Sequence, residues 1–224
     1  MLARIAAVLV PVLGRLSVSS EVSGPVAPGS IVVANHSSLA DPGVVLAALR
    51  EVGTEPVVMA TAGLWRVPVL GRVLRAGGHI PVHRGTAHAS AALDAAAAAL
   101  ADGRVVLIYG EGGLPERRDP LDAAPTAFRT GLARLAAMTG APVVPLGQCG
   151  ARRLSSGSTA KQIAGFATAP LRRPALHVHL GAPLHLSADI TEATTTAHHA
   201  VTTAWRAAEQ HLPARRGTGP DEAA

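Results

Sequence analysis

The chain has 224 residues, enough for one domain with a sizeable core, and 48 % of them are hydrophobic although only 2 % are aromatic, so alanine, valine and leucine must build that core. Charged residues are 16 % of the chain, which excludes wholesale disorder, and the net charge of +5 is carried almost wholly by arginine, Lys161 being the sole lysine. That balance favours an anionic membrane or a phosphorylated ligand as partner, and no nucleic acid, since no basic run exceeds a pair and aromatics are too few to stack bases.

Residues 1–18 are apolar but carry Arg4, Pro11, Gly14 and Arg15. They fall short of the roughly 20 uninterrupted apolar residues of a spanning helix, and no small-x-small cleavage site follows. Two readings stay open: an interfacial helix, or a helix packed on the domain. Residues 30–34 read as a strand, followed by a loop and a helix over 42–50. Strands follow at 55–59 and 78–82, then an alanine-rich helix at 87–101. The unbroken run 104–109 has the pattern of a strand buried on both faces. A helix over 126–139 closes at Gly140, and 142–146 returns as a strand that leads to Cys149, a buried structural thiol without a disulfide partner. The stretch 148–173, rich in Ser, Gly, Thr and Arg, reads as a long loop. A strand at 175–180, a helix at 190–210 and a disordered tail from Pro213 complete the chain.

Strands alternating with helices predict a single α/β domain, with a mixed, mostly parallel sheet flanked by helices. The expected organisation is an N-terminal apolar helix at 1–18, a domain at 19–212 and a tail at 213–224.

The chemistry centres on Asn35-His36-Ser37-Ser38-Leu39-Ala40-Asp41-Pro42, directly after a strand. Asp41 and Pro42 form a helix-start signal, aspartate as N-cap and proline at the first helical position. The same carboxylate can curl back to His36 and hold it in one tautomer, as a general base requires. Strand carboxyl ends are where open α/β sheets place their sites. His177, His179 and His185 have no acidic or cysteine partner at ligand spacing, so no metal site is expected. His198 and His199 are expected on an exposed helix surface. No Gly-x-Ser-x-Gly elbow is present, which excludes the commonest serine hydrolases.

The 35–42 stretch resembles the His-x4-Asp block of the glycerolipid acyltransferase family, which includes the lysophosphatidic acid acyltransferases. Three more blocks follow in that family's order. Leu64-Trp65-Arg66-Val67-Pro68-Val69-Leu70-Gly71-Arg72 runs into Gly78-His79-Ile80-Pro81-Val82-His83-Arg84-Gly85, similar to the second block with its closing arginine. Tyr109-Gly110-Glu111-Gly112-Gly113-Leu114 stands where the third block has an aromatic followed by Pro-Glu-Gly-Thr-Arg. Ala141-Pro142-Val143-Val144-Pro145-Leu146-Gly147 is similar to the fourth, a Val-Pro-rich strand.

The resemblance implies a glycerol-3-phosphate acyltransferase-like fold and transfer of a fatty acyl group from acyl-CoA or acyl carrier protein to a lysophosphatidate-like acceptor, with no cofactor. It implies His36 as general base, Asp41 as its orienting partner and Arg84 as phosphate ligand, with Glu111, Gly112 and Gly113 shaping the acceptor site. It places the protein on the cytoplasmic face of the cell membrane, peripheral or monotopic, and the 64–74 segment with its Arg66, Arg72 and Arg75 reads either as a membrane-facing stretch or as an amphipathic core helix. The third block departs from the pattern. Leu114 replaces the arginine, so one of two expected phosphate contacts is missing unless Arg117 or Arg118 supplies it, and Gly110 in place of proline is expected to loosen the turn.

Overall fold

The computed structural model describes residues 1–83, 89–114 and 122–213. Its centre is a seven-stranded sheet made of β1 (Arg15–Ser20), β2 (Ile31–Ala34), β3 (Val57–Thr61), β4 (Ile80–Val82), β5 (Val106–Tyr109), β6 (Val143–Cys149) and β7 (Ala175–Leu180), in the spatial order β1-β7-β6-β2-β5-β3-β4. All neighbours pair in parallel except β6 and β7. The helices are α1 (Leu2–Leu13), α2 (Asp41–Glu51), α3 (Pro68–Ala76), α4 (Ala89–Ala101), α5 (Gly131–Thr139), α6 (Thr159–Arg172) and α7 (Ile190–Gln210).

The period-two geometry of a strand divides the core into two layers. In β2, which is wholly buried, Val32 and Ala34 join Val44, Leu46 and Leu49 of α2 on one face. Ile31 and Val33 turn to the other face, against Ala96 of α4, Leu132 and Leu135 of α5 and Val201 of α7. With so few aromatics, close backbone approach replaces bulk. Gly147 of β6 meets α7 so tightly that a Cβ there would lie 2.1 Å from the Trp205 nitrogen.

The expected α/β class holds, and the structure corrects four local readings. Residues 148–173 are not a long loop: β6 runs on to Cys149, a 3₁₀ turn covers Ala151–Arg153, and α6 follows. The 1–18 segment is not helical throughout, because β1 begins at Arg15, pairs with β7 and crosses the expected boundary at residue 18. The helix expected from 126 starts only at Gly131. His198 is half-buried, its Nε2 3.1 Å from the Pro125 carbonyl and its ring edge-on to Phe128.

α1 packs against α2 through Ala3, Ala6 and Val10, while Ile5, Val8, Leu9 and Val12 face outward. Gly140 closes α5 with φ 64°, a conformation glycine adopts without strain. Cys149 is fully buried, and burial pushes its thiol pKa well up. The expected tail lies outside the described residues from 214 onward.

Candidate active site

β2, β5 and β6 lie side by side and parallel, so their carboxyl ends deliver Ala34, Tyr109 and Leu146 to one edge of the sheet. The loop from β2 to α2 starts there. His36 Nδ1 lies 2.9 Å from Asp41 Oδ2, with the His36 side chain 14 % exposed and Asp41 fully buried. A carboxylate only accepts, so Nδ1 carries the proton and Nε2 is left as the basic nitrogen.

The same Asp41 oxygen accepts the backbone N–H groups of Ser37 and Ser38, the latter at 2.8 Å, and Ser37 Oγ donates to Oδ1 at 3.3 Å. Asp41 therefore does not cap α2 as the sequence predicts. It is the first residue of the helix, the cap position is Ala40, and the carboxylate turns back into the loop that presents His36. The five-residue spacing suits this, because one oxygen can collect the imidazole and two backbone donors only if the loop curls around it.

Neighbouring residues hold the loop from below. Asn35, fully buried, exchanges two hydrogen bonds with the Gln148 backbone, at 3.1 and 2.8 Å. Gln148 Nε2 donates to Ser37 Oγ at 3.1 Å, and Ser38 Oγ donates to the Ser155 carbonyl at 2.8 Å. Arg152, 3 % exposed, donates from Nη1 to the Ser37 carbonyl at 2.6 Å. The Tyr109 ring stacks on His36, centroids 4.4 Å apart. These contacts limit both the position and the tilt of the imidazole.

Glu111 joins the pair from β5. Its carboxylate accepts the His36 backbone N–H at 3.1 and 3.2 Å while only 8 % of the residue is exposed. Burial pushes its pKa up to about 7, against the pull of the Glu111 and His36 backbone donors, and the Asp41 charge adds to the rise. Gly112 has φ 68° and donates to the Tyr109 carbonyl at 3.1 Å, with Gly113 next in the turn. Gly110 does not loosen the turn. A Cβ there would lie 2.3 Å from the Phe128 ring, so glycine makes room for an aromatic that closes the turn from above. A cleft bounded by Asn35, His36, Ser37, Glu111, residues 123–126 and Arg152 opens over the pair.

The structure thus brings His36, Asp41, Glu111, Gly112 and Gly113 together, while Arg84, Arg117 and Arg118 lie outside the described residues. Sequence reasoning missed Asn35, Gln148, Tyr109 and Arg152 as supports. The first lay inside the quoted motif, but its partner is 113 residues away in the chain. His177 has its two ring nitrogens on Ser17 Oγ at 2.7 Å and Ser19 Oγ at 2.8 Å, a fully bonded position on β7, and among the described residues no His, Cys, Asp or Glu group is arranged to hold a metal ion.

A histidine with a buried carboxylate on Nδ1, and so with an unprotonated Nε2, can take a proton from a hydroxyl. The family profile described as Acyltransferase matches residues 15–148, and no curated protein matches the chain in sequence. Among solved structures, the fold is similar to the 1-acyl-sn-glycerophosphate (LPA) acyltransferase PlsC of Thermotoga maritima. The TM-score is 0.67 at 18 % identity, over 93 % of this chain and 78 % of that one.

Proposed function

Because the chain belongs to the acyltransferase family whose four blocks it resembles, we propose that it moves a fatty acyl group from a thioester donor, acyl-CoA or acylated carrier protein, to a hydroxyl of a lysophosphatidate-like glycerolipid. The observation that carries this reading is the 2.9 Å pair between His36 Nδ1 and the fully buried Asp41, set at the carboxyl end of the central strands.

In the proposed reaction His36 Nε2 takes the proton of the acceptor hydroxyl as its oxygen attacks the thioester carbonyl. The imidazolium so formed is stabilised by Asp41, whose charge lies against Nδ1–H. Collapse of the tetrahedral intermediate breaks the carbon–sulfur bond, and the departing thiolate takes the proton back from His36. The acceptor thereby becomes an ester, the donor becomes a free thiol, and the enzyme returns to its starting state without a covalent intermediate.

Glu111, Gly112 and Gly113 form the wall of the acceptor site, and Arg84 supplies the phosphate contact. With Leu114 at the third block's arginine position, the cation already lining the cleft is Arg152. Substrates of this kind reside in membranes. Ile5, Val8, Leu9 and Val12 form an apolar strip on α1 beside Arg4, which suits peripheral binding to an anionic surface at the cytoplasmic face of the cell membrane. No described helix is long and apolar enough to cross a membrane.

The test is transfer from palmitoyl-CoA to lysophosphatidate, glycerol 3-phosphate and a phosphate-free monoacylglycerol, with wild type beside His36→Ala. Transfer to lysophosphatidate that vanishes in the variant supports the full reading. Transfer to the phosphate-free acceptor alone keeps the mechanism and removes the phosphate site. A variant as active as wild type overturns the assignment of His36.

A further inference from the structure

We propose that the basic pocket between the 3₁₀ turn Ala151–Arg153 and α6 is the phosphate subsite of the acyl donor, holding the phosphorylated nucleotide end of a coenzyme A thioester; this deepens the acyl-transfer reading above and rests on it. The pocket has a volume of about 300 Å³ and is lined by Arg152, Arg153, Lys161 and Arg172 together with Ser156 and Gly157. Among the described residues no acidic side chain lines it. Four cations around one concave space, in a chain with a single lysine, suit a ligand that bears several negative charges.

The cations are positioned by the fold. Arg172 donates to Thr168 Oγ1 at 2.9 Å, to the Arg153 carbonyl at 3.1 Å and to the Gly165 carbonyl at 2.7 Å, which holds its guanidinium against the wall. Gly165 lets α6 lie this close, for a Cβ there would be 2.4 Å from the Leu154 carbonyl oxygen. Arg153 also faces Asp122 at one side, so its charge is partly shared, whereas Lys161 is exposed at the rim.

The relation to the catalytic cleft separates the donor from the acceptor. Arg152 lines both spaces and donates to the Ser37 carbonyl, so the pocket adjoins the catalytic loop, yet His36, Ser37 and Glu111 are not among its walls. In a lysophosphatidate the reacting hydroxyl and the phosphate sit on neighbouring carbons. Its phosphate must therefore lie in the His36 cleft itself. In a coenzyme A thioester the pantetheine arm separates the carbonyl from the pyrophosphate and the 3′-phosphate. Such a ligand needs an anion site in the next cavity, and the Arg152–Lys161 pocket is that cavity. Charge-assisted bonds from arginine and lysine are the means by which phosphates are held.

Binding of acyl-free coenzyme A to the full chain tests the assignment without turnover, comparing wild type with the double variant Arg153→Gln/Lys161→Gln and with Lys161→Arg. The expected result is a Kd about tenfold weaker in the double variant and near wild type for Lys161→Arg, given partly exposed charge-assisted contacts. In turnover, the KM for palmitoyl-CoA should rise in parallel while that for the acceptor does not, and the preference for palmitoyl-CoA over phosphate-free palmitoyl-pantetheine should collapse. Unchanged coenzyme A binding in a folded double variant overturns the proposal. So does a loss confined to acceptor KM or to sedimentation with anionic vesicles, which would assign the pocket to a lipid headgroup. A protein that transfers no acyl group but binds coenzyme A through these cations would refute the acyl-transfer reading and with it the pocket's role as donor subsite, leaving only a coenzyme A phosphate site.

Discussion

Asp41→Asn separates the charge of the His36–Asp41 pair from its geometry. The carboxylate has two tasks on different atoms. Oδ2 collects His36 Nδ1 and the backbone N–H groups of Ser37 and Ser38, and Oδ1 meets Ser37 Oγ. An amide with its oxygen at the Oδ2 position keeps all three N–H donors, and its NH₂ at the Oδ1 position can donate to Ser37 Oγ once that hydroxyl rotates. The loop should therefore keep its shape, and the cost to folding is expected to be about 1–2 kcal/mol, the difference between charged and neutral hydrogen bonds.

Catalysis should suffer far more. Opposite charges at 2.9 Å with an effective dielectric near 20 attract by about 6 kcal/mol, and a half-formed imidazolium by about 3. At about 1.4 kcal/mol per decade, the variant is expected to lose roughly 10²- to 10⁴-fold in kcat. The assay is single-turnover acyl transfer beside urea unfolding of the same preparation. A variant folded like wild type whose kcat falls less than about tenfold would show that His36 does not gain a full proton against Asp41, and the general-base argument would fail.

Four further outcomes follow from particular contacts. Glu111 binds its proton more tightly when folded, since its pKa rises from 4.5 to about 7; its cost is absent below about pH 4.5 and grows until pH 7. Glu111→Gln is therefore expected to gain about 2–3 kcal/mol on wild type between pH 4 and pH 8 in urea unfolding, and equal pH dependence in the two proteins would contradict the buried carboxyl. Gly147→Ala pushes a methyl group onto the backbone of α7, 2.1 Å from the Trp205 nitrogen, and should cost about 3 kcal/mol or more in thermal unfolding. Gly110→Ala should be destabilised by a similar clash, about 2 kcal/mol, and Phe128→Ala in the same chain should recover part of the loss, a coupling readable in a double-mutant cycle. Replacing Val8 and Leu9 by serine removes two exposed apolar side chains from α1 and should weaken binding to anionic vesicles about tenfold without changing the circular dichroism spectrum.

How far the sequence speaks depends on the range over which each physical signal acts. Period and propensity are local, so the strands at 31–34 and 106–109 and the helix at 190–210 were legible. α6 was not, because the stripe it turns inward is Gln162, Gly165, Phe166 and Ala169, small or polar but for one: Ala169 is its one fully buried residue, Pro170 interrupts it, and Ile163 and Leu171 point outward. β1 was hidden for a related reason. It is an edge strand whose half-buried residues alternate weakly, and its pairing with β7 joins residues 160 positions apart.

The contact between His36 and Asp41 was legible since one short turn joins them, and a separation of five residues can hardly keep them apart. Its supports were not, for the opposite reason. Arg152 reaches Ser37 across 115 residues, and Gln148 reaches Asn35 across 113, so only the parallel pairing of β2 with β6 makes them neighbours. Gly110 teaches the same lesson with the sign reversed. Read locally, glycine for proline means slackness; with Phe128 in place, it means that no larger residue fits. A departure from a motif is thus interpretable only with its through-space partner, and the same reasoning applies at Leu114. The arginine absent from the chain's third block does not empty the cleft of positive charge, because β6 and the turn after it bring Arg152 to that cleft from another part of the sequence.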